Sequence, residues 1–248
     1  MSRQRLTADE VRNIEPSIKS DIIGGYYTDS DFTGDIHKFA TGLAKACEAW
    51  GVEFFWNHEV ERLKPNRGAP IIESKTDEGE MGTHQYDSVV ICAGVYSRVL
   101  AAQAGDRVNI YPVKGYSITV NLEDERSKAA APWVSLLDDK AKIVTSRLGE
   151  NRFRVAGTAE FNGYNYNIRA DRIAPLTKWV EKNFPDIATE YVTPWAGLRP
   201  MMPNMMPRIG KGKAKGIFYN TGHGHLGWTL SCVSAHMVSD IIVASDNQ

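Results

Sequence analysis

The sequence predicts an α+β fold in which parallel-type α/β segments flank an antiparallel middle section. The continuous apolar run "VVICA" at 89–93 is typical of a parallel strand covered on both faces, and it turns into a helix at Gly94. Segments 109–122 and 152–161 alternate apolar and polar residues, which is typical of antiparallel strands. The sequence contains no internal repeat, and no linker stands between these segments. We therefore expect two interleaved subdomains.

Composition narrows the class of protein. The chain has 248 residues, of which 42% are hydrophobic, and this is enough for a sizeable core. Its 29 basic and 30 acidic residues nearly cancel and form no basic stripe, which argues against a nucleic-acid partner. Three widely spaced cysteines without C-x-x-C argue against a disulfide framework and favour a reduced, cytoplasmic compartment.

Capping signals define the first two helices. Thr7 and Glu10 form a capping box that predicts a helix ending before Pro16. Asp35 is the expected N-cap of a second helix, which Gly51 ends. Apolar residues of this second helix share one face: Phe39, Leu43, Ala46 and Trp50.

Later elements follow from periodicity. Short strands are expected at 52–56 ("VEFFW") and 59–63 ("EVERL"), followed by a hairpin region and a buried strand at Ser88–Ala93. Segment 169–186 has the pattern of a long amphipathic helix, and a final helix is expected at about Leu226–Ala244.

The stretch "TGHGHLGWT" at 221–229 joins a strand to this final helix. A helix N-terminus offers unpaired N–H groups to an electron-rich ligand, and glycines let the backbone come close. The same glycines also suit a plain turn that needs positive φ. A metal held by His223 and His225 is a third hypothesis, but zinc needs further ligands and no companion motif stands nearby.

Two further residues are candidates for ligand binding. Arg199, in "GLRPMMP", is expected at a strand end, where its guanidinium would grip a carboxylate in a two-pronged contact or form a surface ion pair. Tyr116, in "VKGYS", follows a glycine that interrupts a strand pattern. Its hydroxyl would meet a ligand, or the ring would pack.

Four segments, in this order, resemble one family: "VVICAGVYS", "YPVKGYSITV", "GLRPMMP" and "NTGHGHLGWTLSCVSAHMVSDII". They are similar to the bacterial FAD-dependent D-amino acid dehydrogenases of the D-amino acid oxidase and glycine oxidase superfamily, over nearly the whole chain. The resemblance implies the remainder of an FAD-binding Rossmann-like domain at 28–100 and 205–248. It also implies a substrate domain, built on a largely antiparallel sheet, at 1–27 and 101–204.

The resemblance also implies roles for individual residues. Arg199 would hold the α-carboxylate of a D-amino acid, and Tyr116 would face the substrate cleft. Val60 would lie on the strand that meets the adenine, and Ala93 and Gly94 would line the cofactor. The flavin ring would rest on a turn made of Gly222, His223, Gly224, His225, Leu226, Gly227, Trp228 and Thr229. No residue is assigned as a catalytic acid or base, and none as a metal ligand.

The implied reaction is oxidative deamination. A hydride from the D-amino acid would pass to the flavin, and the imino acid would hydrolyse to a 2-oxo acid and ammonia. Electrons would continue to a quinone or another respiratory acceptor, so we expect a cytoplasmic protein or one peripheral to the inner membrane. The protein itself would supply orientation and electrostatics.

Two departures from the family pattern modify this expectation. No G-x-G-x-x-G follows an N-terminal strand, so the βαβ unit that holds the FAD pyrophosphate is expected to be missing. One hypothesis is that a partner chain or self-association covers the place of this βαβ unit. The alternative is that the chain is a truncated, non-catalytic remnant, or a substrate-binding or assembly subunit. In addition, Met205 stands where the family usually has glycine, so we expect the turn there to differ.

Overall fold

A computed structural model describes residues 3–67 and 69–246 of the chain. The chain divides into two compact units. The first unit comprises Met1–Thr41, Lys114–Phe161 and Asn165–Gly197, and the second comprises Gly42–Val113, Asn162–Tyr164 and Leu198–Gln248. The expected α+β class is confirmed, with mixed helices and mainly antiparallel sheets. The assignment of 28–100 and 205–248 to a cofactor part stays a prediction.

The secondary structure contains six α-helices and thirteen strands in the described residues. The helices are α1 Ala8–Ile14, α2 Ile36–Ala49, α3 Ser97–Gln103, α4 Glu125–Ala130, α5 Ala170–Asn183 and α6 Gly227–Asp246, and a 3-10 turn at Gly94–Tyr96 precedes α3. The strands are β1 Gln4–Leu6, β2 Gly25–Tyr27, β3 His58–Lys64, β4 Ile71–Thr76, β5 Met81–Gln85, β6 Val89–Ile91, β7 Tyr111–Asn121, β8 Leu137–Asp138, β9 Ile143–Arg147, β10 Arg152–Phe161, β11 Val192–Met201, β12 Arg208–Lys211 and β13 Ile217–Thr221.

Local signals account for the starts of α1 and α2. The backbone N–H of Thr7 donates to the Glu10 carboxylate at 2.7 Å, and the N–H of Glu10 donates to Thr7 Oγ1 at 3.4 Å, which confirms the capping box. Asp35 Oδ1 accepts from the N–H groups of His37 at 3.1 Å and Lys38 at 3.3 Å. Asp35 is therefore the N-cap that the sequence predicts.

The first unit is built on a five-stranded sheet in the order β11-β7-β10-β9-β8. Strands β8, β9 and β10 pair antiparallel. One face of the sheet carries a buried core in which β7, β10 and α5 supply most side chains: Tyr116, Ile118, Val120, Phe153, Val155, Leu176 and Val180. The amphipathic helix expected at 169–186 is confirmed as α5, and its apolar side closes this core.

The second unit contains two three-stranded sheets. In one, β13 lies between β12 and β6, antiparallel to β12 and parallel to β6. In the other, β3, β4 and β5 form an antiparallel meander with a bulge between Val60 and Arg62. The strand expected at 59–63 is thus confirmed within β3, and "VVICA" supplies the parallel strand β6.

The prediction of a strand at 52–56 is wrong. No strand forms there; Phe55 is 55% exposed and Trp56 is 63% exposed. Phe54 stacks on Trp56 instead, with ring centroids 5.0 Å apart. A strand needs a neighbouring backbone to pair with, and within residues 3–67 and 69–246 none pairs with this segment. The apolar pattern is present, but its pairing partner is not.

Two helices also present apolar residues to the surface. Helix α2 places the expected apolar residues on one face, yet Leu43 on that face and Trp50, directly after the helix, are exposed. On α6, Ser234 and Val238 are buried, while Val233 and Met237 are exposed. By length and composition alone, Gly227–Ser245 of α6 also meets a criterion for a membrane span, although the helix packs along β12 and β13.

Candidate functional site

The strongest candidate site lies at one edge of the parallel pair in the second unit. Because β6 and β13 are parallel, their carboxyl ends meet at the same edge, where open α/β sheets place their ligands. Gly94 follows β6, and the glycine turn follows β13. Thr221 Oγ1 lies 2.7 Å from Ser97 Oγ and donates to the carbonyl of Gly94 at 3.4 Å. The structure therefore brings Ala93 and Gly94 beside the Gly222 turn.

The turn itself requires its first two glycines. Gly222 has φ 78° and Gly224 has φ 58°, both in the left-handed region. A Cβ on Gly222 would lie 2.7 Å from Met202 Cγ, and one on Gly224 would lie 2.7 Å from Met201 Sδ. Close packing against the two methionines thus explains these glycines without any ligand.

The spacing Gly222-x-Gly224-x-x-Gly227 is also that of the dinucleotide fingerprint, and it stands between a strand and a helix. The context is incomplete, because no strand follows α6 in the described part of the chain to close a βαβ unit. Methionine side chains moreover fill the space beside the first two glycines.

The N-terminus of α6 opens at the same edge. The helix begins at Gly227, and Leu230 N–H makes its first-turn bond to the carbonyl of Leu226 at 2.9 Å. The first N–H groups of a helix have no partner within it and carry the positive end of its dipole. His225, Leu226 and Thr229 are exposed around this end. The arrangement suits an electron-rich group of a ligand.

His223 adds an unsatisfied polar atom to the turn. It forms an isolated β-bridge with Met201, and its Nε2 is buried without a hydrogen-bond partner in the described structure. Burial lowers the pKa of His223, so the ring is held neutral. A buried nitrogen left unpaired costs free energy, so Nε2 suits a contact with a polar group of a ligand or with water. Residues 3–67 and 69–246 contain no group of three or more His, Cys, Asp or Glu that could hold a metal.

Arg199 lies on the strand segment bonded to this turn. Gly224 N–H donates to the carbonyl of Pro200 at 3.1 Å, and Met201 bridges to His223. Arg199 is thus within two residues of both contacts, although it is distant in sequence from the turn. Its role toward a carboxylate stays a prediction. Met205, in the following turn, adopts φ 61°, so the glycine-type conformation is kept without glycine.

Tyr116 belongs to the first unit and is 1% exposed. Its hydroxyl donates to the Glu160 carboxylate, which also pairs with Lys114 Nζ at 3.5 Å and with Arg169 Nη1 at 3.1 Å. Burial raises the pKa of Tyr116, whereas its hydrogen bond lowers the pKa of Glu160. Sequence reasoning missed this network because it could not know that β7 and β10 are neighbours. The predicted substrate contact of Tyr116 stays a prediction.

Val60 lies on a different sheet of the second unit. It pairs with Ser74 next to the bulge of β3, and Leu63 N–H donates to Gln103 Oε1 of α3 at 2.7 Å. The sheet of Val60 therefore packs on the helix that follows Gly94. Its predicted contact with adenine stays a prediction.

Comparison with known proteins identifies the class. Residues 1–241 match the family model described as DAO, FAD dependent oxidoreductase, so the chain belongs to this family of oxidoreductases. It is 55% identical over 242 residues to D-amino acid dehydrogenase 3 of Mesorhizobium japonicum, covering 98% of this chain and 58% of that protein. It is 39% identical to a D-amino acid dehydrogenase of Dechloromonas aromatica, again with 58% of that protein covered. The chain thus spans less than two thirds of these relatives.

Solved structures show the same fold. Glycine oxidase from Geobacillus kaustophilus superposes with a TM-score of 0.86 at 23% identity, over 98% of this chain and 63% of that one. L-proline dehydrogenase from P. horikoshii superposes with a TM-score of 0.81 at 16% identity, over 97% and 64%. At these identities the likeness concerns the fold alone.

The residues of the second unit fit one part of an FAD site. Three observations support this fit: a helix N-terminus at the carboxyl edge of parallel strands, a close turn, and the orphaned His223 Nε2. The βαβ unit with its own fingerprint is not in the sequence. These residues therefore suit an electron-rich part of the cofactor.

Proposed function

We propose that this chain supplies the flavin-ring and substrate part of an FAD-dependent D-amino acid dehydrogenase. The supporting observation is the edge where Gly94, the Gly222 turn and the start of α6 meet, with Arg199 on the adjoining strand segment. The relatives named D-amino acid dehydrogenase favour a D-amino acid as substrate. The products would be a 2-oxo acid and ammonia, after hydrolysis of the imino acid in water.

When bound, FAD supplies the acceptor for the hydride of the substrate's α-carbon, and the electrons continue to a quinone or another acceptor. The residues of this chain bind and orient. The N–H groups at the start of α6 and in the turn 222–229 would hold the flavin ring, and they would stabilise negative charge on it. Arg199 holds the α-carboxylate, which fixes the α-carbon. Neutral His223, whose Nε2 has no partner among the described residues, would accept or donate one hydrogen bond through that atom.

The pyrophosphate part of the site is proposed to come from polypeptide that carries a βαβ unit with a G-x-G-x-x-G turn. In the described residues no strand pairs with the outer side of β6, and segment 52–56 has an apolar strand pattern without a partner. Open parallel edges are rare because both faces and the edge need cover. Strands of this βαβ unit would pair with the outer side of β6 and with segment 52–56. The protein would then act in the cytoplasm or peripherally at the inner membrane.

A non-catalytic assembly or substrate-binding subunit is the alternative function, because packing against Met202 and Met201 explains Gly222 and Gly224 without any ligand. FAD titration separates the two. The full chain is titrated with FAD, first alone and then with the part of the Mesorhizobium relative that lies outside the matched region. We expect shifted, resolved visible flavin absorption only in the mixture. No spectral change in the mixture would favour the alternative.

The carboxylate role of Arg199 is tested in the same mixture. Arg199→Ala is expected to weaken D-alanine binding by at least about tenfold, because charged bidentate contacts contribute about 1.5–3 kcal/mol. Arg98→Ala, an exposed arginine on α3, is the control and should bind D-alanine as the unchanged chain does. Equal binding by both variants in calorimetry would show that Arg199 does not hold the carboxylate.

A further inference from the structure

The face of the five-stranded sheet opposite the core carries a second candidate site, within the first unit. Phe153 and Val155 of β10 point into the core, so Arg154 between them points to the opposite face. Ser117 lies between core residues on β7, the strand next to β10. Alternation along each strand thus sends both side chains to the same face.

Arg154 meets a hydroxyl and an indole on this face. Its Nη2 donates to Ser117 Oγ at 3.3 Å, and its Cζ lies 5.9 Å from the centroid of the Trp195 ring of β11. The indole lies over Gly197, where a Cβ would come within 2.1 Å of the ring. Glycine at 197 therefore leaves room for the indole, which lies beside the guanidinium.

The guanidinium is half-buried and lacks a counter-ion. Among residues 3–67 and 69–246, no carboxylate lies within ion-pair distance of Arg154, and burial alone lowers its pKa. Arg152, two residues earlier on the same face, differs, because its Nη2 pairs with Asp35 Oδ2 at 2.7 Å. A cation removed from water without a partner costs free energy, so an unpaired Arg154 needs an explanation.

We propose that Arg154, Ser117 and Trp195 form a binding site for the carboxylate of a small organic acid. A guanidinium has five N–H donors in a planar fork that matches a carboxylate, and a single hydroxyl leaves most of them available. The Ser117 hydroxyl supplies a further donor, and the Trp195 ring excludes water from one side. The proposal does not depend on the carboxylate role of Arg199 in the function proposed above, because it is argued from Arg154, Ser117 and Trp195 alone.

Two sources of carboxylate, an amino acid and a 2-oxo acid, share this chemistry. The full chain is titrated by calorimetry with D-alanine, with pyruvate and with D-alaninamide, which lacks the carboxylate. We expect binding of at least one acid and none of the amide. Tighter binding of pyruvate would assign the site to a 2-oxo acid, and tighter binding of D-alanine to an amino acid. The absence of binding by either acid would overturn the proposal.

Variants separate this site from its neighbours. Arg154→Met is expected to weaken binding of the acid at least tenfold, whereas the matched control Arg152→Met should leave it within twofold. A loss in Arg199→Ala with no loss in Arg154→Met would overturn the proposal and leave the function proposed above intact. A loss in Arg154→Met alone would support it, whatever the outcome for Arg199.

Thermal unfolding distinguishes binding from a structural role. Without ligand, Arg154→Met should unfold at the same or a higher temperature, since it removes an unpaired half-buried cation. The acid should raise the Tm of the unchanged chain and of Arg152→Met, but not that of Arg154→Met. A lower ligand-free Tm in Arg154→Met, together with a retained rise on adding acid, would show that Arg154 only stabilises the sheet.

Discussion

The five-stranded sheet of the first unit and the parallel strands of the second bury their apolar residues to different extents. In the first unit, α5 covers one face of the sheet and leaves Phe153 and Val180 with no exposed surface. In the second, β6 is an edge strand among the described residues, and segment 52–56 exposes its aromatic rings. A strand forms where a partner strand is present among the described residues, as in the five-stranded sheet. Segment 52–56 has an equally clear apolar pattern but no partner strand there, and it stays unpaired.

The largest expected effect tests this contrast directly. Phe153→Ala should lower the free energy of unfolding by about 3–5 kcal/mol, because it leaves a cavity beside Phe184, whose ring centroid is 5.8 Å away. Phe55→Ala, at a 55% exposed position of segment 52–56, should change it by less than about 0.5 kcal/mol. Urea unfolding measures both. A large cost for Phe55→Ala would mean that the segment is packed in solution.

The second effect concerns the rigidity of the candidate turn. Gly222→Ala should cost about 1–2 kcal/mol, since alanine is strained at φ 78° and its Cβ would press on Met202. The control is Gly42→Ala in α2, where no atom lies within 4 Å of the added Cβ. That change should stabilise the chain by about 0.5–1 kcal/mol. Equal effects in urea unfolding would mean that the turn is not held as described.

A smaller effect is expected at Met205. Its φ of 61° is costly for a side chain with a Cβ, so Met205→Gly should relieve backbone strain. Part of the gain is offset by the greater flexibility of glycine in the unfolded chain, which leaves about 0.5–1 kcal/mol. The Tm should rise. A fall in Tm would show that contacts of the Met205 side chain outweigh the strain.

The smallest effect is the pH dependence contributed by His223. Burial lowers its pKa in the folded chain, so below about pH 6.5 the unfolded chain takes up this proton first. Stability is therefore lost as the pH falls through this range. His223→Leu should reduce the slope of Tm against pH between about pH 5 and 6.5. An unchanged slope would mean that the buried ring is protonated as easily as in the unfolded chain.

Sequence reasoning was most successful where the cause is local. The Thr7 capping box, the Asp35 cap and the alternation along β10 each depend on a few neighbouring residues, and all are found in the structure. Positive φ at Gly222 and Gly224 was likewise among the expectations from the turn.

Features that depend on distant pairing were not predictable in the same way. The Lys114–Glu160 ion pair needs the neighbouring strands β7 and β10, and the orphaned Arg154 is recognised only when its surroundings are known. Segment 52–56 shows the opposite error, because its pattern predicts a strand whether or not a partner strand exists. Periodicity reports which face is apolar, but not what covers it.

The most direct test of the proposed function is anaerobic reduction of FAD by an amino acid. The chain is mixed with FAD and the complementary part of the Mesorhizobium relative, and visible flavin absorption is followed after addition of D-alanine or L-alanine. We expect D-alanine to bleach the absorption, L-alanine to leave it unchanged, and Arg199→Ala to abolish the response to D-alanine. Bound FAD that D-alanine does not bleach would contradict the proposal that this chain supplies the flavin-ring and substrate part of a D-amino acid dehydrogenase.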